Sequence, residues 1–337
     1  IGVKKNIIYS FIIAIASFAF MACSNDDDGG QMRIPDSARP SAKFTFGNFD
    51  DEQYASDAVK MDVTKWGDGA AAPEFKSIEL FADGHFLITK NNAGNKPKFS
   101  RMATRATDIN GSVDFDNGLY IYGTFTHEKD GIYKLSNGTK IKINKNGDVV
   151  GVVTVTYTNC NGVDITIIVN VDFNYKTDEA VRQLCRSWRM DSQEAWLYTD
   201  KAYIGYGKQW LDNFFKVKQD ITITPEGKQW GFDEDDILDD DDYCRRVIFS
   251  PCGTFMCFYQ DGDVEIGRWE WKDKQNGILR CYEPFEFGDD DLDDDDDYMD
   301  MTVRFDGKQM RMYNEYMDEE DGFNYKVYSV STFSARY

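Results

Sequence analysis

The sequence predicts an all-β protein with two antiparallel β-meander or barrel-like domains and only short helices. The chain has 337 residues, which suits two domains of ordinary size. Segments rich in Val, Ile and Thr recur along it, and these residue types favour strands. Several segments are separated by Asn137-Gly138, Asn146-Gly147 and Asn161-Gly162. Asn-Gly is the strongest short signal for a hairpin turn because both residues tolerate positive φ.

Residues 1–22 are typical of a lipoprotein signal peptide. Lys4 and Lys5 precede an uncharged apolar run over residues 7–20, which is too short to span a bilayer comfortably. The sequence Phe20-Met21-Ala22-Cys23 follows and resembles the lipobox of bacterial lipoproteins, which implies a lipid on Cys23. An ordinary signal peptide with an incidental cysteine is the alternative. No later apolar run is long enough to cross a membrane, so we expect the remaining residues to lie outside the bilayer.

The residues after Cys23 indicate where the protein is displayed. Residues 23–42 contain many Ser, Asp, Gly and Pro residues, which predicts a flexible tether. The start of this tether resembles the acidic export signal of surface lipoproteins in the Bacteroidota, and a solvated acidic linker is the alternative. The candidate export signal consists of Ser24, Asp26, Asp27 and Asp28. The resemblance implies a lipid-anchored protein on the outer membrane, facing the cell exterior.

Residues 43–175 are predicted to form the N-terminal β domain. Strands over 77–81 and 85–89 flank Ala82-Asp83-Gly84, which is a hairpin signal. Further segments alternate with turn residues and predict an antiparallel meander, with strands over 119–126, 132–135, 139–144, 149–158 and 163–173.

Residues 178–337 are predicted to form the second β domain. Thr177 and Asp178 have helix-start chemistry, and apolar residues recur at helical spacing up to Trp188. A second short helix is predicted within 207–216. The predicted strands, separated by Gly-containing turns, span 247–250, 254–259, 264–272, 278–283, 301–305, 310–315 and 325–332.

The two domains share one short pattern. Leu80-x-x-x-Gly84-His85-Phe86 aligns with Phe249-x-x-x-Gly253-Thr254-Phe255. A single shared hairpin pattern is a weak indication of an internal repeat.

Residues 184–337 resemble the lipocalin-like domains of Bacteroidota lipoproteins. The resemblance is carried by Leu184-x-x-x-Trp188, the Phe249–Phe255 hairpin, Gly267-x-Trp269-x-Trp271 and the segment Val303–Met312. Arg186 stands where the first of these motifs has glycine. The resemblance implies a small antiparallel barrel that can contain a ligand cavity, and it implies no particular activity.

The charge distribution argues against nucleic-acid binding. The formal net charge is -21, and three runs of acidic residues, at 26–28, 233–242 and 289–300, account for almost all of it. No Lys or Arg lies within these runs. Because nucleic-acid binding requires a basic surface, we expect no nucleic-acid partner.

The two long acidic runs form the candidate metal site. They precede the first and fifth strands of the predicted meander, and such strands run in the same direction, so both runs would lie at one end of the barrel. Clustered carboxylates suit calcium, although the spacing of an EF-hand is absent. A solvated pair of acidic loops is the alternative. The candidate calcium ligands are Asp239, Asp240, Asp241, Asp242, Asp293, Asp294, Asp295, Asp296 and Asp297.

The histidine, cysteine and glutamate residues give little support for a zinc site or a catalytic site. His85 and His127 are the only histidines, which excludes a three-histidine zinc site. After Cys23 there are six cysteines without a Cys-x-x-Cys pair, so they form disulfides or remain as buried thiols. Glu270, Glu283 and Glu286 lie near aromatic residues, but the sequence cannot place two of them across a cleft. We therefore expect no catalytic residues and no enzyme activity.

Aromatic residues are candidates either for sugar stacking or for ordinary packing. These residues are Trp210, Trp230, Trp269, Trp271, Tyr120 and Tyr122.

The function predicted from the sequence is non-catalytic binding of a small apolar ligand or a glycan by a surface-anchored lipoprotein. The alternative is a structural or partner-binding module without a small ligand. A hollow apolar barrel favours the first hypothesis, and a barrel filled by Phe and Trp side chains favours the second. A protein partner is also compatible with the sequence, and no cofactor other than calcium is expected.

Overall fold

The computed structural model shows two closed eight-stranded antiparallel β-barrels, which confirms the predicted fold class. It describes residues 34–44, 59–66, 75–81, 84–91, 115–116, 120–143, 151–159, 161–172, 179–213, 216–238, 243–250, 253–260, 264–282, 298–320 and 323–335. No helix within these ranges is long and apolar enough to cross a bilayer.

The first barrel has the order β3-β2-β1-β9-β8-β7-β6-β5 and is closed by pairing of β3 with β5. A two-residue strand, β4, pairs with β5 as well. Its core contains Phe86, Ile88, Ile141, Val155 and Ile167, which point inward from alternate positions. The strands are β1 (Val59–Trp66), β2 (Phe75–Leu80), β3 (His85–Lys90), β4 (Phe115–Asp116), β5 (Tyr120–His127), β6 (Ile132–Leu135), β7 (Lys140–Ile143), β8 (Gly151–Thr158) and β9 (Asp164–Asp172).

The second barrel follows helix α1 (Glu179–Leu184) and contains a second short helix, α2 (Pro225–Gln229). Its strands are β10 (Ser187–Thr199), β11 (Tyr203–Leu211), β12 (Val217–Ile223), β13 (Cys244–Phe249), β14 (Thr254–Tyr259), β15 (Val264–Asp273), β16 (Ile278–Tyr282), β17 (Tyr298–Asp306), β18 (Gln309–Glu320) and β19 (Phe323–Ala335).

The long strand β10 closes the second barrel by pairing with β19 along its length. The opposite edge of β10 is shared, because residues 187–189 pair with β13 and residues 192–198 pair with β11. The hairpin of β11 and β12 therefore extends the sheet beyond the barrel of β10 and β13 to β19.

The two barrels have the same topology, in which β1, β2, β3 and β5 correspond to β10, β13, β14 and β15. The shared sequence pattern forms the same turn in both. Gly84 and Gly253 have φ values of 83° and 87°, which glycine adopts without steric cost. The N–H of Phe81 donates to the carbonyl of His85, and the N–H of Ser250 donates to that of Thr254. The structure thus extends the similarity from one hairpin to the strand order of both domains.

Two predicted helical segments differ from the structure. Residues 207–211 belong to β11, because residues 207–210 pair with both β10 and β12 and Leu211 pairs with β12. Helix α1 ends at Leu184, although apolar residues continue at helical spacing up to Trp188. Trp188 lies in β10, and its indole N–H donates to the carbonyl of Leu184 at 2.7 Å. Pairing with distant strands therefore overrides the local pattern.

The N-terminal segment, residues 34–44, packs on the second barrel, although residues up to 42 were predicted to belong to the tether. Ile34 and Ala38 lie on an outer aromatic cluster, whereas Phe44 lies against Trp271 and Phe305, which pack on the core. Tyr328 Oη donates to the carbonyl of Ala38 at 2.9 Å, and Arg304 Nε donates to that of Ser41 at 2.8 Å. The ring of Phe44 lies 6.3 Å from those of Trp271 and Phe305. The segment is held because it buries apolar side chains and satisfies backbone carbonyls.

Candidate functional site

The residues predicted to carry lipidation, export and calcium binding lie outside the described residues. These residues are Cys23, Ser24, Asp26, Asp27, Asp28, Asp239 to Asp242 and Asp293 to Asp297. In the described part of the chain, no group of three or more His, Cys, Asp or Glu side chains is arranged to hold a metal ion.

The strands that follow the two long acidic runs have the predicted relationship. Antiparallel pairing connects β13, β14, β15, β16 and β17 in sequence order. Strands β13 and β17 therefore run in the same direction and begin at the same end of the barrel. Asp300, the last residue of the second run, lies in β17 and binds Arg280 Nε at 2.8 Å and Lys272. Burial raises the pKa of Asp300, but hydrogen bonds from Arg280 and Lys272 outweigh it and lower the pKa below its ordinary value.

The interior of the second barrel is filled by its own side chains. Trp188, Phe249, Phe255 and Phe333 are at most 1% exposed, and Trp269 is 6% exposed. Phe249 meets Trp269 edge to face, and Trp269 meets Trp271 in the same way, with ring centroids 6.0 and 6.1 Å apart. Such packing is close to that of any protein core. This part of the barrel is filled by Phe and Trp side chains. It therefore favours the hypothesis of a structural or partner-binding module that holds no small ligand inside.

An apolar niche lies beside this core, where β10, β11 and β19 extend beyond the barrel. It is defined by Gly205 and Gly207, which have no side chains and therefore leave space on one face of β11. Ile237 and Leu238 fill this space. A Cβ atom at Gly207 would lie 2.8 Å from Cδ1 of Leu238 and 2.9 Å from Cγ2 of Ile237. These two side chains could therefore not keep their positions if residue 207 were larger than glycine. Its other apolar walls are Ala195, Leu197, Ile204 and Val327.

The niche is covered by the acidic turn, residues 233–238, which belongs to the first long acidic run. The N–H of Asp233 donates to Asp236 Oδ2 at 2.7 Å, and the N–H groups of Ile237 and Leu238 donate to the carbonyl of Glu234 at 3.1 Å. Gln219 Nε2 also donates to the carbonyl of Leu238 at 3.3 Å. The turn is thus organised mainly by local bonds and inserts two apolar side chains into the niche.

Sequence reasoning missed this niche. The pattern Gly205-x-Gly207 within a strand is the available signal, since glycine inside a strand often marks the close approach of another group. The identity of that group depends on the fold.

The outer faces of the two barrels meet at a junction formed by the corresponding strands β2, β3 and β5 and β13 and β14. Its apolar part contains Phe81, Leu87, Tyr122, Ile248, Met256 and Phe258.

Buried polar groups complete the junction. Ser250 Oγ and Thr254 Oγ1 lie 3.1 and 3.4 Å from Glu79 Oε1 and donate to it. Arg246 Nη2 lies 3.1 Å from Nδ1 of His85. Burial, and then the charge of Glu79, raises the pKa of the neighbouring Tyr120. Since buried polar groups are costly unless paired, these contacts favour one relative position of the barrels.

Both histidines pack against tyrosine rings. His85 is buried and stacks on Tyr122 with ring centroids 5.4 Å apart, and His127 stacks on Tyr133 at 4.6 Å. The described cysteines, Cys185, Cys244, Cys257 and Cys281, are buried, whereas Cys160 and Cys252 lie outside the described residues.

The aromatic and acidic candidates are distributed over different environments. Trp269 is buried and donates from Nε1 to the carbonyl of Ser250 at 2.9 Å, and Tyr122 is buried in the junction. Trp230 is 36% exposed. Glu270 is exposed and accepts a hydrogen bond from Tyr282, while Glu283 and Glu286 lie outside the described residues. Packing therefore accounts for Trp269 and Tyr122.

No protein-family model matches the chain, and a comparison with curated proteins gives no match. Among solved structures, the chain is similar to a tryptophan-to-alanine mutant of the vaccine antigen transferrin-binding protein B from Haemophilus parasuis, at 5% identity and a TM-score of 0.19. That match covers 80% of this chain and spans 62% of the length of the other. A protein of unknown function from the DUF3598 family of Nostoc punctiforme matches at 11% identity and a TM-score of 0.14, over 84% of this chain and 97% of the other.

Proposed function

We propose that this protein is a lipid-anchored, non-catalytic module of the outer cell surface that binds a protein or glycan partner through the outside of its barrels. The proposal combines the lipobox at Cys23 and the candidate export signal formed by Ser24 and Asp26 to Asp28 with the two-barrel fold.

The packing of the second barrel is the observation that favours an external binding surface. Trp188, Phe255 and Phe333 fill the space in which a hollow barrel would hold a ligand. The outer face of the barrel instead carries charged and aromatic groups. Arg268 lies over the ring of Tyr282 at 4.1 Å, and Arg280 lies over that of Tyr298 at 3.5 Å. Aromatic residues and arginine are enriched at protein interfaces, so this face suits a macromolecular partner.

A second candidate function is the binding of a small apolar ligand in the niche at Gly205 and Gly207. The niche is apolar, and the side chains that fill it come from a turn rather than from the barrel strands. A ligand with an apolar chain would bind there by replacing Ile237 and Leu238. Its free energy of binding would have to exceed that of burying these two side chains.

Acyl labelling tests the anchor on which the leading proposal depends. The full chain is expressed in a bacterium that lipidates exported proteins and is supplied with an alkyne-tagged fatty acid. We expect the unchanged chain to be labelled, Cys23→Ala to lose the label, and Cys160→Ala to keep it. Undiminished labelling of Cys23→Ala would refute lipidation at this residue.

Surface display is measured on the same cells by adding protease from outside. We expect the labelled protein to be cleaved while a periplasmic marker remains intact. A chain that resists protease until the outer membrane is opened would contradict display on the cell exterior.

A further inference from the structure

Strand β12 leaves one edge of the second sheet open. It spans Val217–Ile223 and pairs with β11, and no other strand in the described part of the chain pairs with it. The strand contains no proline, and its pairing with β11 has no shift in register. Proteins usually protect an exposed edge with a proline, a bulge or a covering segment, because its backbone groups can pair with another chain. Strand β12 has the length and regularity that such pairing requires.

Hydrogen bonds at the two ends of the hairpin show which backbone groups face the open edge. The N–H of Asp212 donates to the carbonyl of Lys216 at 2.9 Å, and the N–H of Thr224 donates to that of Ile204 at 2.8 Å. Along an antiparallel pair, residues that bond to the partner strand alternate with residues that do not. The even-numbered residues of β12 therefore bond to β11. The open edge presents the N–H and carbonyl groups of Val217, Gln219, Ile221 and Ile223.

The sequence of β12 complements a second copy of itself in one antiparallel register. When Gln219 stands opposite its own copy, Lys218 stands opposite Asp220, and Val217 stands opposite Ile221. The two-fold axis makes each of these pairs occur twice. Opposite charges and apolar residues stabilise a sheet when they face each other across strands, and like charges destabilise it. The next register that the backbone allows on one side places Asp220 opposite its own copy, so charge selects between these two registers.

We propose that two copies of this chain pair through the open edge of β12 and so join their second sheets into one continuous sheet. A second copy suits this edge because the charges and apolar residues of β12 match each other. The two-fold arrangement also closes the assembly as a dimer, since each copy covers the edge of the other. Pairing through β12 does not depend on the lipid anchor at Cys23 and goes beyond the proposed function.

Cysteine cross-linking tests both the pairing and its register. The full chain with Cys160→Ser and Cys252→Ser is purified in a mild detergent, receives one new cysteine in β12 and is oxidised gently. Lys218, Gln219 and Asp220 are all exposed, so each position accepts the change without loss of core packing. Directly opposed residues have Cα atoms about 4.5–5.5 Å apart, which suits a disulfide, whereas diagonal neighbours are about 7–8 Å apart.

We expect Gln219→Cys to give about fivefold or more disulfide-linked dimer compared with Lys218→Cys or Asp220→Cys alone. A mixture of the Lys218→Cys and Asp220→Cys chains should also cross-link, because these positions face each other. Equal yields at the three positions would indicate random collision, and a maximum at position 220 would indicate a different register. Either result, or no dimer beyond that of the chain without a new cysteine, would overturn the proposal.

Reversing the charges gives a second test with the same measurement. In the Gln219→Cys chain, Lys218→Asp places like charges opposite each other twice, and we expect about fivefold less dimer. Adding Asp220→Lys restores opposite charges and should restore the yield. Lys228→Asp is the matched control, because Lys228 is exposed in α2 and lies outside the proposed contact. An effect of Lys218→Asp no larger than that of Lys228→Asp, or a double reversal that stays low, would contradict pairing in this register.

Discussion

At the residue scale, Cys257 and Cys281 place two thiols inside the packed core of the second barrel. Burial raises the pKa of the Cys257 thiol well above its ordinary value, and a hydrogen bond with Cys244 raises it further. Burial also raises the pKa of Cys281, with a contribution from the charge of Asp300. In the unfolded chain both thiols would ionise near pH ~8.5. Ionisation then favours the unfolded state, so their contribution to stability is complete below that pH and is lost as pH rises above it.

We therefore expect the free energy of unfolding to fall between pH 8 and 10, by up to about 1.4 kcal/mol per pH unit for each thiol. Urea denaturation at several pH values measures the slope. Cys257→Ala and Cys281→Ala should each make the slope shallower, whatever they cost in stability at pH 7. A slope that neither variant changes would show that other groups cause the pH dependence.

At the scale of elements, the acidic turn and the Gly205-x-Gly207 pattern of β11 form one packing unit. Shortening Leu238 to alanine should reduce the free energy of unfolding by about 2–5 kcal/mol, because it removes buried methyl groups and leaves a cavity. If the niche can admit a ligand, Leu238→Ala should also bind an apolar fluorescent dye more tightly than the unchanged protein. Chemical denaturation and dye titration measure the two effects.

Leu279→Ala is the matched control for this variant, since Leu279 is equally apolar and lies in the closed core of the same barrel. We expect a similar loss of stability without dye binding. Equal dye binding by both variants would indicate general loosening of the barrel and would remove the support for a ligand in the niche.

At the scale of the whole molecule, the acidic runs concentrate negative charge. Asp239 to Asp242 and Asp293 to Asp297 precede β13 and β17, which begin at the same end of the second barrel. We expect the melting temperature to rise with sodium chloride, because salt screens repulsion between carboxylates. Solvated loops should respond equally to calcium chloride at matched ionic strength, whereas bound calcium should give a larger rise.

Replacing Asp293 to Asp297 by asparagine distinguishes these alternatives. A calcium-specific rise should disappear in this variant and persist when Asp26 to Asp28 are replaced in the same way. A melting temperature that responds to neither salt would contradict the expected repulsion at this end of the barrel.

The sequence by itself determined the features that depend on neighbouring residues. Turn residues and alternating side chains predicted the fold class and most hairpins, and the strand Thr254–Tyr259 has the predicted bounds. Strands β1 and β10 were missed, although each pairs with the next strand in the chain as well as with a distant strand. The niche, the course of the N-terminal segment and the junction also depend on the fold. At the junction, the contacting residues Arg246 and His85 are 161 residues apart in the chain. Only the tertiary structure decided these features, because each arises from burial between segments that local sequence patterns do not connect.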